Sequence, residues 1–311
     1  MNFTLKQLLY FHAALRNRSI ARAAKEMNIS QSSITAAVDQ IEQIVGAELF
    51  RRIPAKGILP TQTGEAVGAR IASFLEQARV FQSDLMSLSG SPTGTLRLAC
   101  FEPTAPYVLP PLLRRIADGY PEIRIDVMEG DMGLISEVLQ SGAVDVALTY
   151  KMEVLPEHRF APLFDLPPWA LVPDTSPLAD RRVVYMADLE GVPMIALDMP
   201  RTRSYFDRLF DAHGLVPNLV HSTKSGAVIR GLVAAHFGHA ILNICAPSDR
   251  NPAQGYLAIP IADGGESPVF GVSYAPQLEE SAVVRAVIAT GTALAKEGGF
   301  DHLRMAATSL H

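Results

Sequence analysis

The stretch SIARAAKEMNISQSSITAAVDQIEQIVG, residues 19–46, predicts two short helices joined by a tight polar turn. Ser19 is suited to cap the first helix, in which the small residues Ala23 and Ala24 allow another helix to pack closely. After the turn, apolar residues recur at helical spacing until Gly46 ends the second helix. The stretch therefore predicts a helix-turn-helix, although its second helix contains neither lysine nor arginine.

The flanking residues complete a small domain. Thr4 and Gln7 form a capping box ahead of an apolar helical face, which predicts a first helix over about residues 5–16. Residues 48–64 predict two short strands with a turn at Lys56 and Gly57, the shape of a wing. The wing carries the basic residues Arg51, Arg52 and Lys56.

Charge is distributed unevenly along the 311 residues, whose formal net charge is −5. Residues 1–60 carry +4 and the remainder −9. A basic module on an acidic protein is typical of polyanion binding, and a solvated charged surface is the alternative explanation. At this length, two or three domains are expected.

Several motifs of the N-terminal region occur in a characteristic order. ARAAKEMNISQSSITAAVDQIEQIVGAELFRR (21–52) is followed by LPTQTGE (59–65), and this order is similar to the pattern of the LysR-type transcriptional regulators. That pattern has SQ at the start of the recognition helix, LE near its end, then G..LF.R and LT..G. The corresponding positions here are Ser30 and Gln31, Ile41 and Glu42, Gly46, Leu49 and Phe50, Arg52, Pro60 and Thr61, and Gly64.

The resemblance implies a DNA-binding transcriptional regulator, without enzymatic activity, that is controlled by a small-molecule effector. Its expected domains are a winged helix-turn-helix over 1–62, a coiled-coil linker helix over 63–90 and an effector domain over 91–311. The chain departs from the family where Ser-Arg is frequent in the recognition helix, since Thr35 and Ala36 stand there.

Polar residues near the start of the recognition helix are the expected DNA contacts. Gln31, Ser32, Ser33 and Thr35 are suited to hydrogen-bond base edges and phosphates. Attraction to the phosphate backbone then depends on cations outside that helix. These cations are Arg22 and Lys25 on the preceding helix and Arg51, Arg52 and Lys56 on the wing.

A heptad seam follows the wing. Its apolar residues step alternately by four and three, which favours a dimerising helix over one laid against its own domain, the alternative. The seam residues are Val67, Ile71, Phe74, Ala78, Phe81, Leu85 and Leu88. The resemblance further implies a homodimer on an imperfect inverted repeat of double-stranded DNA, a dimer of dimers, and contact with RNA polymerase.

Beyond residue 94, strand-like runs alternate with helical runs, which predicts parallel α/β structure. The alternation breaks near residues 160–173 and then resumes, so two hinged lobes are expected. Lobe I covers about 95–164 and 268–300, and lobe II about 165–267. By resemblance, this is the two-lobed effector domain related to type 2 periplasmic binding proteins.

The carboxyl ends of the predicted strands are the expected effector site. Arg201 or Arg203 is suited to hold a carboxylate, although a surface ion pair of Asp198 with Arg201 is an equal alternative. Glu102 or Asp198 can receive an amine. Hydrogen bonds from Thr104 and Thr223 and the aromatic rings of Phe101 and Tyr150 complete the predicted set, with a role in the core as the alternative for the two aromatic residues.

Other chemistry finds little support in the sequence. His236 and His239 lack further ligands nearby, and no nucleotide-binding or nucleophile motif occurs, so neither a metal nor a cofactor is expected. Cys100 and Cys245 lie in apolar runs typical of buried thiols. With neither a signal peptide nor a long apolar run, a cytoplasmic location is expected. A solute-binding protein or a hinged α/β enzyme remains the alternative.

Overall fold

The computed structural model describes residues 2–53, 57–87 and 91–305. The chain divides into two compact units, Met1–Leu85 and Met86–His311, which we call unit 1 and unit 2. Within the described ranges, none of the helices combines the length and the apolar character needed to span a bilayer.

Unit 1 consists of helices around a small hairpin. Its elements are α1 (Leu5–Asn17), α2 (Ile20–Met27), α3 (Gln31–Val45), β1 (Phe50–Ile53), β2 (Gly57–Pro60) and α4 (Gln62–Ser87), the last of which runs two residues into unit 2. Thr4, Ser19 and Ser30 cap the first three helices through their side chains. Gly46 ends α3 with φ +73°, a conformation that glycine adopts without strain.

The core of unit 1 joins all of these elements. Phe11, Ile34 and Leu49 are fully buried in it. Two glycines of α4 allow close approach: a Cβ on Gly64 would lie 2.0 Å from the carbonyl oxygen of Leu49, and one on Gly68 would lie 2.2 Å from the Leu15 side chain. Gly64 of the LPTQTGE motif therefore has a steric role, because it brings α4 against Leu49, the residue before β1.

Unit 2 alternates strands and helices. In chain order its elements are β3 (Gly94–Phe101), α5 (Ala105–Gly119), β4 (Ile123–Gly130), α6 (Met132–Gln140), β5 (Val146–Tyr150), β6 (Arg159–Asp165), β7 (Trp169–Pro173), β8 (Pro193–Leu197), α7 (Thr202–Asp211), β9 (Asn218–Thr223), α8 (Gly226–Ala234), β10 (Ala240–Leu242), β11 (Tyr256–Pro260), β12 (Val269–Tyr274) and α9 (Ala282–Lys296). A short turn of 3-10 helix, Lys151–Glu153, follows β5.

The strands separate into two lobes. Lobe I holds the five-stranded sheet in the order β4-β3-β5-β12-β6, and lobe II holds the sheet β10-β7-β11 together with the pair β8-β9. An isolated bridge from Met194 to His239 connects β8 with the residue before β10. The chain passes between the lobes after β6 and again before β12.

Strand direction differs from the parallel arrangement that the alternating pattern predicts. β3 is parallel to β4 and β5, but β12 is antiparallel to both β5 and β6. The reason is the return crossing: β6 leaves lobe I where β12 enters it, with Val269 opposite Asp165. β7 is likewise antiparallel to both of its neighbours. The α/β class holds, with a mixed five-stranded sheet and an antiparallel three-stranded sheet, while the pair β8-β9 is parallel as the pattern predicts.

Candidate functional site

The N-terminal turn of α3 presents polar side chains to solvent. Gln31, Ser32 and Ser33 are exposed, and Ser30 caps the helix by accepting the Ser33 N–H at 3.2 Å. The Thr35 hydroxyl donates to the Gln31 carbonyl at 3.0 Å, and the hydroxyls of Ser32 and Ser33 each lie 2.8 Å from the Ser30 hydroxyl, so the hydroxyls of three of the four predicted contacts already have a partner. This end of α3 can donate hydrogen bonds and also carries the positive end of the helix dipole.

The predicted cations of unit 1 differ in how they are placed. Arg22 is exposed on α2 and donates one hydrogen bond to the Asn17 carbonyl, which directs its guanidinium towards the C-terminal end of α1. Arg51 is exposed on β1. Arg52 belongs to β1 by its backbone, and Lys56 lies outside the described residues.

Glu42 connects the recognition helix to the wing. Its Oε1 accepts the backbone N–H of Leu49 at 2.6 Å and that of Phe50 at 3.1 Å. The sequence identified Glu42 only as a motif position, and the structure adds its role, which is to hold the first residues of β1 against α3.

The predicted dimer seam of α4 falls into two parts. Val67 and Ile71 pack into the core of unit 1, where Ile71 is only 7% exposed, so the seam prediction is corrected at these two residues. Ala78 is half-buried, while Phe74, Phe81 and Leu85 are exposed by 44%, 63% and 51%. Leu88 lies outside the described residues. Over its first turns, α4 therefore packs against its own domain, which is the alternative that the sequence left open. In the described part of the helix, only the second half carries an exposed apolar stripe.

A small cavity, which we call the inner cavity, lies between the lobes of unit 2. Its volume of 40 Å³ is enough for about three waters. Its walls are largely apolar and aromatic, and they include three residues of the predicted effector set, namely Phe101, Tyr150 and Arg201. The phenol of Tyr150 is buried, which raises its pKa far above the ordinary value, so Tyr150 stays neutral there.

The other five predicted effector residues do not line the inner cavity. Thr104 is fully buried and donates to the Phe101 carbonyl at 2.8 Å, and the Thr223 hydroxyl accepts the Ser225 N–H at 3.3 Å. Both hydroxyls stabilise local turns. The remaining three are Glu102, Asp198 and Arg203. Burial and the nearby Glu129 raise the pKa of Glu102. Arg203 forms an ion pair with Asp198 at 3.8 Å and also donates to Asp207 at 2.8 Å.

Arg201 is held at the cavity wall by a contact between the lobes. Its Nη1 donates to Glu153 Oε2 of lobe I at 2.8 Å, and not to Asp198, the partner in the alternative that the sequence left open. Arg201 also has φ +66°, which is rare for a residue with a side chain. Strained backbone of this kind is concentrated at functional sites.

Thr202, the next residue, was not predicted. It lines the inner cavity and is 6% exposed, and its Oγ1 has no hydrogen-bond partner among the described residues. A buried hydroxyl without a partner is costly, and a ligand acceptor can supply the missing bond. The strand-end rule selects its neighbours Arg201 and Arg203, but only the fold shows that the Thr202 hydroxyl is buried at the cavity wall without a partner among the described residues.

Two other polar residues of the inner cavity are already paired. Arg230 forms a two-bond ion pair with the buried Asp249, both bonds being 2.6 Å long. Asn243 donates to the Leu166 carbonyl at 2.9 Å and to the Tyr205 hydroxyl at 3.4 Å. Since Arg201 is also paired, the inner cavity carries little net charge.

Metal and thiol chemistry find no support in the described ranges. No group of three or more metal-ligating side chains occurs there. Burial lowers the pKa of His239 to about 4, and its Nδ1 lies 2.9 Å from the Pro193 carbonyl oxygen. Burial raises the pKa of Cys100 to about 12 and that of Cys245 to about 11, the opposite of what a reactive thiol requires.

Comparison with known proteins agrees with this architecture. Residues 5–65 match the family model for bacterial regulatory helix-turn-helix proteins of the lysR family, and residues 89–294 match the LysR substrate binding domain. The chain is 29% identical to the HTH-type transcriptional regulator YtlI of Bacillus subtilis (strain 168) over 185 residues, which are 60% of this chain and 59% of YtlI. It is 27% identical to the transcriptional activator protein LysR of Escherichia coli (strain K12) over 252 residues, 77% of each chain.

The fold also resembles solved structures. The crystal structure of HinK, a LysR family transcriptional regulator from Pseudomonas aeruginosa, superposes with a TM-score of 0.62 at 26% identity. The alignment covers 94% of this chain and 98% of HinK.

Proposed function

Because the chain belongs to the LysR family of DNA-binding transcriptional regulators, we propose that α3 recognises a promoter sequence and that a small molecule in unit 2 controls the outcome. The proposed domains are the DNA-binding domain over 1–62, the linker helix over 63–90 and the effector domain over 91–311. The observation that carries the proposal is the exposed polar start of α3 on a rigid, capped helix-turn-helix.

Sequence recognition and general affinity are assigned to different residues. Gln31, Ser32 and Ser33 contact base edges in the major groove, since their side chains are exposed at the end of α3 that enters it. Thr35, whose hydroxyl is engaged, contributes its methyl group. Arg22, Arg51, Arg52 and Lys56 contact phosphates, which carry no sequence information.

The effector binds at the inner cavity. Phe101 and Tyr150 contact its apolar body, and Arg201 with Thr202 binds one acceptor group, preferably a carboxylate. The other predicted effector residues do not line the inner cavity and contact the effector only indirectly; they are Glu102, Asp198, Arg203, Thr104 and Thr223. Since both predicted amine partners, Glu102 and Asp198, are among them, an amine is disfavoured as the group that anchors the effector. A volume of 40 Å³ is too small for such a molecule, so the lobes must lie further apart in the complex than they do here.

Regulators of this family form oligomers, and we assign the pairing to the second half of α4. Phe74, Ala78, Phe81 and Leu85 form the seam, and two recognition helices then reach half-sites about 34 Å apart on an inverted repeat. A dimer of dimers and contact with RNA polymerase complete the proposed mechanism.

The test is fluorescence anisotropy of the full chain with fragments upstream of its own and neighbouring genes. Affinity should fall steeply with salt. Arg52→Ala should weaken binding to every sequence and lower the salt slope by about one, whereas Gln31→Ala should mainly relax sequence preference. Failure to bind any fragment at low salt, or equal effects from both substitutions, would contradict the proposal.

A further inference from the structure

A second and much larger cavity adjoins the inner one. This outer cavity has a volume of 520 Å³ and shares three wall residues with the inner cavity, namely Met152, Tyr205 and Pro268. By the same measure it is more than ten times larger than the inner cavity. It therefore accommodates a metabolite-sized molecule without opening of the lobes.

Two cations from different lobes line the outer cavity. Lys151 belongs to the 3-10 turn after β5 in lobe I, and Arg208 lies on α7 in lobe II. Both side chains are exposed, and neither has a carboxylate partner among the described residues. This differs from the inner cavity, where Arg201 and Arg230 are both held in ion pairs.

The third wall is the segment that returns from lobe II to lobe I. A Cβ on Gly264 would lie 2.6 Å from Cγ of Pro168, so glycine allows the returning segment to cross closely over the outgoing one. In the described part of the chain, the backbone N–H groups of Gly265 and Ser267 have no hydrogen-bond acceptor. The wall therefore has unused donors as well.

The charge balance of this wall is unusual for its surroundings. The chain beyond residue 60 carries −9, yet the outer cavity is lined by two cations and one anion, Glu266, whose side chain is exposed. Two cations on facing lobes, together with the unbonded N–H groups of the third wall, form an arrangement suited to an anion with two or more acid groups.

We propose that the outer cavity is a binding site for a small polyvalent anion, of the carboxylate or phosphate class, which bridges Lys151 of lobe I to Arg208 of lobe II. The anion binds the present arrangement of the lobes better than a more open one, because only here do both cations reach it. It therefore stabilises this arrangement. The site lies wholly within unit 2 and does not depend on whether unit 1 binds DNA.

The test is calorimetric titration of the full chain with citrate and, separately, with inorganic phosphate, against sodium chloride of equal ionic strength. The test variant combines Lys151→Gln with Arg208→Gln. The matched control combines Lys296→Gln with Arg182→Gln, which removes the same charge from two exposed cations away from the cavity. Thermal unfolding without added anion establishes that both variants are folded.

Saturable binding of at least one anion to the wild type is expected, with affinity at least about tenfold weaker in the test variant, since hydrogen bonds to charged groups are lost. The control should stay within about twofold, because exposed distant charges are screened by salt. Glu266→Gln should tighten binding. Citrate binding alone indicates an organic anion, and phosphate binding alone indicates a phosphate group.

Three results would overturn the proposal: no saturable binding of either anion to the wild type, undiminished affinity in the test variant, or an equal loss in the control. Because the titration contains no DNA, its outcome is separate from the anisotropy test of the regulator function.

Discussion

Thr202→Val should make unit 2 more stable, which is unusual for a substitution in a binding site. The Thr202 hydroxyl is buried and has no partner among the described residues. Leaving such a group unpaired costs about 1–3 kcal/mol, and valine has nearly the same shape without the polar atom. Unit 2 spans Met86–His311, a size at which about 1 kcal/mol raises the melting temperature by about 2–4 °C.

Tryptophan fluorescence provides a reporter for this unit alone. The chain has one tryptophan, Trp169 of β7, which is fully buried in lobe II. Thermal unfolding followed at Trp169 should therefore show the increase for Thr202→Val. The matched control is Thr223→Val, which should lower the melting temperature, because the Thr223 hydroxyl accepts the Ser225 N–H. An unchanged or lower melting temperature for Thr202→Val would refute the reasoning, since the hydroxyl would then have a partner.

Three further predictions concern other parts of the chain. Glu42→Gln should weaken DNA binding, measured by anisotropy, and destabilise unit 1 by about 1–3 kcal/mol, measured by urea unfolding, because the charged acceptor for two N–H groups is lost. Glu48→Gln removes an exposed carboxylate and should change neither measurement. Phe81→Asp should shift the chain towards monomer in sedimentation without unfolding it, while Ile71→Asp should unfold unit 1; a dimer that survives Phe81→Asp contradicts the assigned seam. Burial lowers the pKa of His239 to about 4 from 6.5, so as the pH falls the unfolded chain takes up a proton at His239 before the folded chain does. The free energy of unfolding of unit 2 should therefore fall by about 3 kcal/mol between pH 6.5 and pH 4. Unfolding followed by Trp169 fluorescence should show a weaker pH dependence for His239→Gln.

Local signals made the DNA-binding unit largely predictable. Ser19 and Ser30 are helix caps, and Gly46 is a helix end, because each uses a conformation or hydrogen bond determined by its immediate neighbours. The heptad of α4 was less informative. A heptad pattern indicates that one face of a helix is apolar but not which surface packs against that face. Ile71, buried in the core, and Phe81, exposed to solvent, therefore have the same sequence pattern.

The ligand cleft was much less predictable, for a geometric reason. Arg201 and Arg203 are two residues apart, and the strand-end rule selects both of them. Which one lines the inner cavity depends on the positive φ of Arg201 and on Glu153, which is distant in sequence. The outer cavity combines Lys151, Arg208 and the returning segment, which only the crossing of the chain between the lobes brings together.

The three-residue turn after β5 connects the two cavities. Glu153 pairs with Arg201 at the inner cavity, Lys151 lines the outer one, and Met152 between them lines both. On the facing lobe, α7 carries Arg201 at its start and Arg208 two turns later. A ligand that draws Arg201 away from Glu153 therefore acts on the same turn and the same helix that an anion between Lys151 and Arg208 holds together. Because linkage is reciprocal, the two ligands must change each other's affinity by equal factors, so titrating one in the presence of the other measures the coupling directly.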